Sequence, residues 1–232
     1  MVEYLDVSHL ITEDETPVDN VGADKQHRLL VEVLYASWRI DRPFFAASNV
    51  GLFASLNGAA IVPDMLLSLD VLGHPELWNK DHRSYFMWDF GKPPDVVVEV
   101  VSNNEGGETT RKMRDYARIG VPYYVIFDPM NFLLDAPIAA HALHAGEYFL
   151  LPEPRLPRVG LNLVLWEGTY EKTEGTWMRW TTAEGELIPT GAERADAQQQ
   201  RADSQQQRAD SQQQRADALE ARLRALGHSP DT

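Results

Sequence analysis

The rhythm of apolar and polar positions changes several times along the chain, and each change predicts an element. Asp24–Ile40 (DKQHRLLVEVLYASWRI) places Leu29, Leu30, Val33, Leu34 and Ala36–Trp38 on one broad helical face. An amphipathic helix capped by Asp24 is expected there. Residues 1–23 before it are acidic and lightly apolar, and read as a poorly ordered lead-in. Pro43–Ser55 mixes aromatic, alanine and glycine residues without a clear period. Ala59–Val62 and Met65–Val71 are apolar runs flanking Pro63-Asp64, which predicts two strands with a proline-marked kink. Gly73–Arg83 is a polar loop, and the aromatic Ser84–Phe90 (SYFMWDF) is a short strand or a lid.

The strongest pattern lies in Pro93–Pro129. Asp95–Val101 is β-branched almost throughout and has the length of a buried strand. A polar turn, Ser102–Gly107, leads to a helix at Glu108–Ile119, with Met113, Tyr116 and Ala117 at helical spacing. Gly120 and Pro122 stop it. A second apolar run, Tyr123–Phe127, closes at Asp128-Pro129. Two apolar strands joined through a helix predict a βαβ crossover on a central sheet.

Beyond Pro129 the pieces become short and β-like: Ala142–Leu151, Leu161–Trp166, Tyr170–Lys172, Thr176–Thr181 and Leu187–Ile188. They predict an antiparallel meander that extends the sheet or caps its edge, with Trp166, Trp177 and Trp180 on a packed face. From Arg194 the sequence repeats every seven residues as RADAQQQ, RADSQQQ, RADSQQQ and RADALEA. A seven-residue period predicts a helix with a fixed seam. One line of that seam is Ala195, Ala202, Ala209, Ala216 and Leu223; the other is Gln198, Gln205, Gln212, Leu219 and Leu226. Small and polar seam residues predict a weak coiled coil, hence a homo-oligomer, most simply a dimer, or else a lone solvated helix. The expected organisation is a lead-in at 1–23, a core domain at 24–190 and a heptad-repeat helix at 191–232.

Composition narrows the classes. The chain has 232 residues, no cysteine and a formal net charge of -14. Without cysteine there is no disulfide framework, thiolate metal site or catalytic thiol. No run of about 18 apolar residues spans a membrane, and the first residues lack the pattern of a signal peptide. A cytoplasmic location is expected. Arg194–Thr232 carries six arginines and six acids, so the acidic excess belongs to the rest of the chain. A body this acidic repels a polyanion at long range, so DNA as a partner requires a local contact.

Three residues point to chemistry. Glu99 interrupts the valine strand, where a charge is costly unless it is paired or binds something. Asp64 stands at a strand boundary 35 residues earlier, and meets Glu99 if their strands are neighbours. Two such carboxylates are hard oxygen ligands suited to Mg²⁺ or Mn²⁺. Lys112, at the edge of the helix stripe, can bring its ammonium to the strand ends while its stem packs. The bland readings are a structural charge for Glu99, a turn former for Asp64 and a solvated helix residue for Lys112. His27 reads as a core-edge histidine rather than a ligand, Asp95 as a strand-entry residue and Asp128 as a turn signal.

VPD at 62–64, PPDVVVEVVS at 93–102, RKMRDYARIGVPYYVIFDP at 111–129 and the arginine-glutamine heptads together resemble the Uma-two family. That is a widespread bacterial group within the PD-(D/E)XK nuclease superfamily, named as restriction endonucleases. The similarity covers roughly residues 10–190. It implies an α/β, restriction-endonuclease-like fold: a mixed central sheet flanked by helices, here followed by a C-terminal antiparallel β extension and a long C-terminal helix. It also implies a Mg²⁺-dependent hydrolase site on Asp64 and Glu99. The superfamily's usual acid-x-lysine would put lysine at 101, where this chain has valine; Lys112 is the matching candidate. Two functions stay open: a metal-dependent nuclease acting on DNA phosphodiesters, and a nuclease-fold protein working as an assembly module through its heptads.

Overall fold

The computed structural model describes residues 20–102 and 108–225, and divides into two compact units, one ending at Ile188 and one opening at Pro189. The first unit opens with helix α1, Val21–Ser37, three residues earlier than the sequence predicts. Asn20, not Asp24, is its cap: the Asn20 side-chain oxygen accepts from the Ala23 N–H at 2.8 Å. An asparagine ahead of a glycine in an otherwise acidic lead-in hid that signal. Asp24 instead sits in the first turn and pairs with Arg28, which also binds Glu171 at 2.6 Å.

Strands β1 (Phe44–Ser48), β2 (Leu52–Phe53) and β3 (Met65–Leu69) follow. The strand expected at Ala59–Val62 is reduced to one bridge, Leu52 with Ile61. Pro63, which lacks an N–H, stands between that bridge and β3. The aromatic Ser84–Phe90 splits into β4 (Tyr85–Phe86), parallel to β2, and a single helical turn, α2 (Met87–Phe90). Gly91 at φ 74° ends that turn in the left-handed region.

Strand β5 (Val96–Val100) is buried at every residue. After residues 103–107, where the expected turn lies outside the described residues, a π-type turn at Glu108–Lys112 leads into α3, Met113–Ile119. Gly120 at φ 83° closes α3, as its position predicts. Strand β6 (Tyr123–Phe127) then lies parallel to β5, which completes the βαβ crossover. Asp128 is a turn residue, accepting from the N–H groups of Phe132, Leu133 and Leu134. Strands β7 (Ile138–His144) and β8 (Glu147–Leu150) form a hairpin whose two-residue turn, Ala145-Gly146, has positive φ at both positions.

These strands form a six-stranded mixed sheet in the order β1-β3-β5-β6-β7-β8. A separate three-stranded sheet comprises β9 (Arg155–Leu156), β10 (Leu161–Tyr170) and β11 (Thr173–Thr182). Tyr170–Lys172, expected as a strand, holds the hairpin turn: Glu171 and Lys172 have φ 44° and 62° between the paired Tyr170 and Thr173. A primed turn with Glu-Lys lacks the usual Asn-Gly signature. Trp177 and Trp180 are buried as expected, while Trp166 is half-buried with the Arg179 guanidinium 4.6 Å above its ring.

Period-2 alternation assigns the two faces of β5. Val96, Val98 and Val100 join α1 residues and the three-stranded sheet in one core. Val97 and Val101 join Leu66, Tyr116, Tyr124 and Ile126 in the other. A strand covered on both faces reads as a continuous apolar run, and each fully buried valine contributes roughly 1.5–3 kcal/mol. Gln26 locks α1 to this arrangement. It is 1% exposed; its Nε2 donates to the Met178 carbonyl at 2.8 Å, and its Oε1 accepts from the Met178 N–H at 3.0 Å. The side-chain amide thus serves the free edge of β11 as another strand would.

In the second unit, α4 (Gly191–Ala225) is one helix without a buried residue. Gln199, Gln206 and Gln213 each donate to the aspartate four residues on. Replacing Gln26 by Ala strands two buried backbone groups at roughly 1–3 kcal/mol each. Chemical denaturation should therefore show Gln26→Ala about 3 kcal/mol less stable than wild type.

Candidate active site

The register of β3 against β5 pairs Met65 with Val98 in antiparallel sense. One step beyond that register stand Asp64, just before β3, and Glu99, which alternation turns toward the face of Leu66 and Val97. The ladder ends there, because Pro63 offers no N–H. The Asp64 carboxylate takes the place of a backbone partner: its Oδ2 accepts from the Val100 N–H at 2.6 Å. The two acids that the sequence separates by 35 residues are thus neighbours at one strand end.

Glu99 has no exposed surface. Lys112 Nζ donates to its Oε2 at 2.8 Å, and the Tyr116 hydroxyl donates to its Oε1 at 2.6 Å. Lys112 and Tyr116 are four residues apart across the junction of the π-type turn and α3, so one helical face delivers both. Lys112 is the solvent-side member of the pair, its side chain 26% exposed against 0% for Glu99. Burial pushes the Glu99 carboxyl up to about 8, and the nearby Asp64 charge adds to the rise; Lys112 and the Tyr116 hydrogen bond oppose it. Burial, then Glu99, raises the Tyr116 hydroxyl well above its usual range.

Of the three sequence candidates, Glu99 and Lys112 are hydrogen-bonded, and Asp64 lies close enough to Glu99 to raise its proton affinity. Two further residues beside them carry no clear signal in the sequence. Tyr116 looked like a plain member of the apolar stripe, and only its spacing from Lys112 hinted at more. His27, assigned to the core edge, is buried, but its Nε2 lies 3.7 Å from Asp64 Oδ2. Asp95 is the strand-entry residue expected, accepting from the Leu69 N–H and from Lys92 Nζ. Among the described residues, no three His, Asp or Glu side chains form a ready-made metal centre. The oxygen donors on hand are the two carboxylates.

A family model, Uma2, described as "Putative restriction endonuclease", matches residues 12–136. The chain belongs to the Uma2 family. No curated protein matches it. Membership places the chain in the PD-(D/E)XK superfamily. The match spans Asp64, Glu99 and Lys112 and ends between β6 and β7, short of the 10–190 expected from the resemblance. In this Uma2 chain β7, β8, β9, β10, β11 and α4 lie beyond the matched stretch. Among the described residues no helix is long and apolar enough to cross a membrane.

The raised proton affinity of Glu99 has a fixed sign. The folded protein binds this proton more tightly than the unfolded chain, whose carboxyl titrates near 4.5. The stability Glu99 contributes is therefore full below about 4.5 and lost as pH rises through about 8. Thermal unfolding of wild type and Glu99→Gln across that window should show the wild-type advantage shrinking as pH rises.

Proposed function

We propose that this Uma2 chain is a divalent-metal-dependent endonuclease acting on DNA phosphodiester bonds, with Asp64 and Glu99 as metal ligands and Lys112 as the catalytic cation. The observation behind this reading is a fully buried carboxylate, Glu99, bound to Lys112 and close to a second carboxylate, Asp64, inside a stretch that matches a nuclease family. The donor set fits Mg²⁺ or Mn²⁺: hard oxygens and few protein ligands. Once bound, the ion would polarise the phosphodiester and lower the pKa of a water.

The chain's own residues set the stage for that chemistry. Glu99 sits where burial and Asp64 make its negative charge unfavourable, so a nearby cation offsets a cost the fold already bears. Tyr116 holds one Glu99 oxygen and fixes the direction of the carboxylate. Lys112, on the solvent side, is the group an incoming phosphate meets, and its charge counters that developing on phosphate. The acidic body does not attract DNA at long range, so binding depends on this local cationic contact.

The heptad helix supports a second, compatible proposal. Leu219 and Leu223, four residues apart near its end, are 62% and 48% exposed. A second copy of the helix packed on that seam would cover them, making the protein a weak dimer.

Mn²⁺ or Mg²⁺ should raise the melting temperature of wild type but not of Glu99→Ala; equal responses would remove the metal reading. In a plasmid-nicking assay with Mn²⁺, Asp64→Asn should be silent, and Lys112→Met should be slower by roughly 100- to 1000-fold. Sedimentation of a chain ending at Gly191 should show a smaller species than full length. An unchanged oligomeric state would exclude a role for the helix.

A further inference from the structure

We propose that His27, held by Asn49, is a positioning residue for Asp64: its Nε2–H fixes the Asp64 carboxylate in the orientation that a divalent cation requires. This inference rests on the reading of Asp64 and Glu99 as metal ligands and deepens it by one residue from the first helix.

His27 lies on α1 among Ala23, Leu29 and Leu30, and is 3% exposed. A polar ring there is costly unless both nitrogens are satisfied. Among the described residues only one has a hydrogen-bond partner. Asn49 Nδ2 stands 3.3 Å from His27 Nδ1, while His27 Nε2 is buried without one. An amide nitrogen only donates, so Nδ1 is the acceptor and the hydrogen of the neutral ring sits on Nε2. The neighbouring acceptor is Asp64 Oδ2 at 3.7 Å. That exceeds a hydrogen-bond length, and contacts of this kind in ligand-free sites tighten once the ligand arrives. The aspartate side chain is the more exposed of the two, 15% against 4%, so the histidine backs it from the buried side.

Asn49 carries an independent mark of the arrangement. It follows the last residue of β1 at φ 53°, in the left-handed region that non-glycine residues seldom occupy and asparagine tolerates best. Its backbone N–H donates to the Asp64 carbonyl at 3.3 Å, while its side chain holds the His27 ring. One residue thus grips the Asp64 backbone and the ring that faces the Asp64 carboxylate. Residues that orient a metal-binding side chain in this way typically change metal affinity 10- to 100-fold when removed.

Calorimetric titration with Mn²⁺ tests the proposal without reference to turnover. Wild type should bind, and Asp64→Asn should not. His27→Ala should weaken Mn²⁺ binding by roughly 10- to 100-fold, and His27→Gln, whose amide N–H reaches toward the Nε2 position, should recover part of the loss. Asn49→Gly keeps the left-handed backbone and removes only the amide, so it should weaken Mn²⁺ binding with little change in melting temperature. If His27→Ala and Asn49→Gly bind Mn²⁺ as wild type does, whatever their stability, His27 is a packing residue and the proposal is wrong. If wild type itself binds no Mn²⁺, the two-carboxylate reading fails, and the role of His27 fails with it.

Discussion

A carboxylate with no exposed surface, set in the middle of a valine strand, is the constraint around which this protein is arranged. Glu99 touches a lysine and a tyrosine, and lies close to a second acid. Truncating such a group to leave its partners alone is more costly than keeping it. The fold therefore supplies one cation, one hydroxyl and one strand end to it. They come from two levels of structure: Lys112 and Tyr116 from helical spacing, Asp64 from strand register.

The topology follows from that need. Strand β5 has an antiparallel neighbour, β3, on one side and a parallel one, β6, on the other. The antiparallel pairing turns the start of β3 toward the end of β5, so the residue just before β3 arrives beside Glu99. The parallel pairing requires a crossover, and the crossover is the helix that bears Lys112 and Tyr116. A mixed sheet is thus the arrangement that brings both kinds of partner to one point. The opposite face of β5 is taken by α1 and the three-stranded sheet, which bury Val96, Val98 and Val100.

Much of this was legible in the sequence because its signals are local. Val96–Val100 and Tyr123–Phe127 stand out by their β-branched and aromatic runs, and Gly120 marks the helix end. Glu99 stands out because a charge amid valines calls for a partner. What escaped notice depends on pairing between distant segments. Gln26 looks like a polar interruption in a helix face; only the position of Met178, 152 residues away, makes it a surrogate strand partner. Glu171-Lys172 lacks the residues that announce a primed turn, and the ladder on either side imposes it. His27 looks like core because its relation to Asp64 exists only once β3 is packed beside α1. Asn20 is a weak signal for a local reason: Gly22, two residues on, has low helix propensity.

The packing around β5 explains why residue 101 is a valine and why the cation beside Glu99 comes from residue 112. Residue 101 shares a face with Glu99, so a lysine there would point into the same layer. Val101 in this chain is 2% exposed and packs with Val97, Tyr116 and Val121. Its N–H also continues the pairing to the Phe127 carbonyl. An ammonium in that slot would be buried beside Glu99 with no way to water, adding a second desolvated charge to a site that already holds one. Moving the cation to residue 112 keeps the 2.8 Å contact while leaving the side chain 26% exposed. The tyrosine four residues on then fills the layer that valine leaves, and its hydroxyl takes the Glu99 oxygen that the lysine does not.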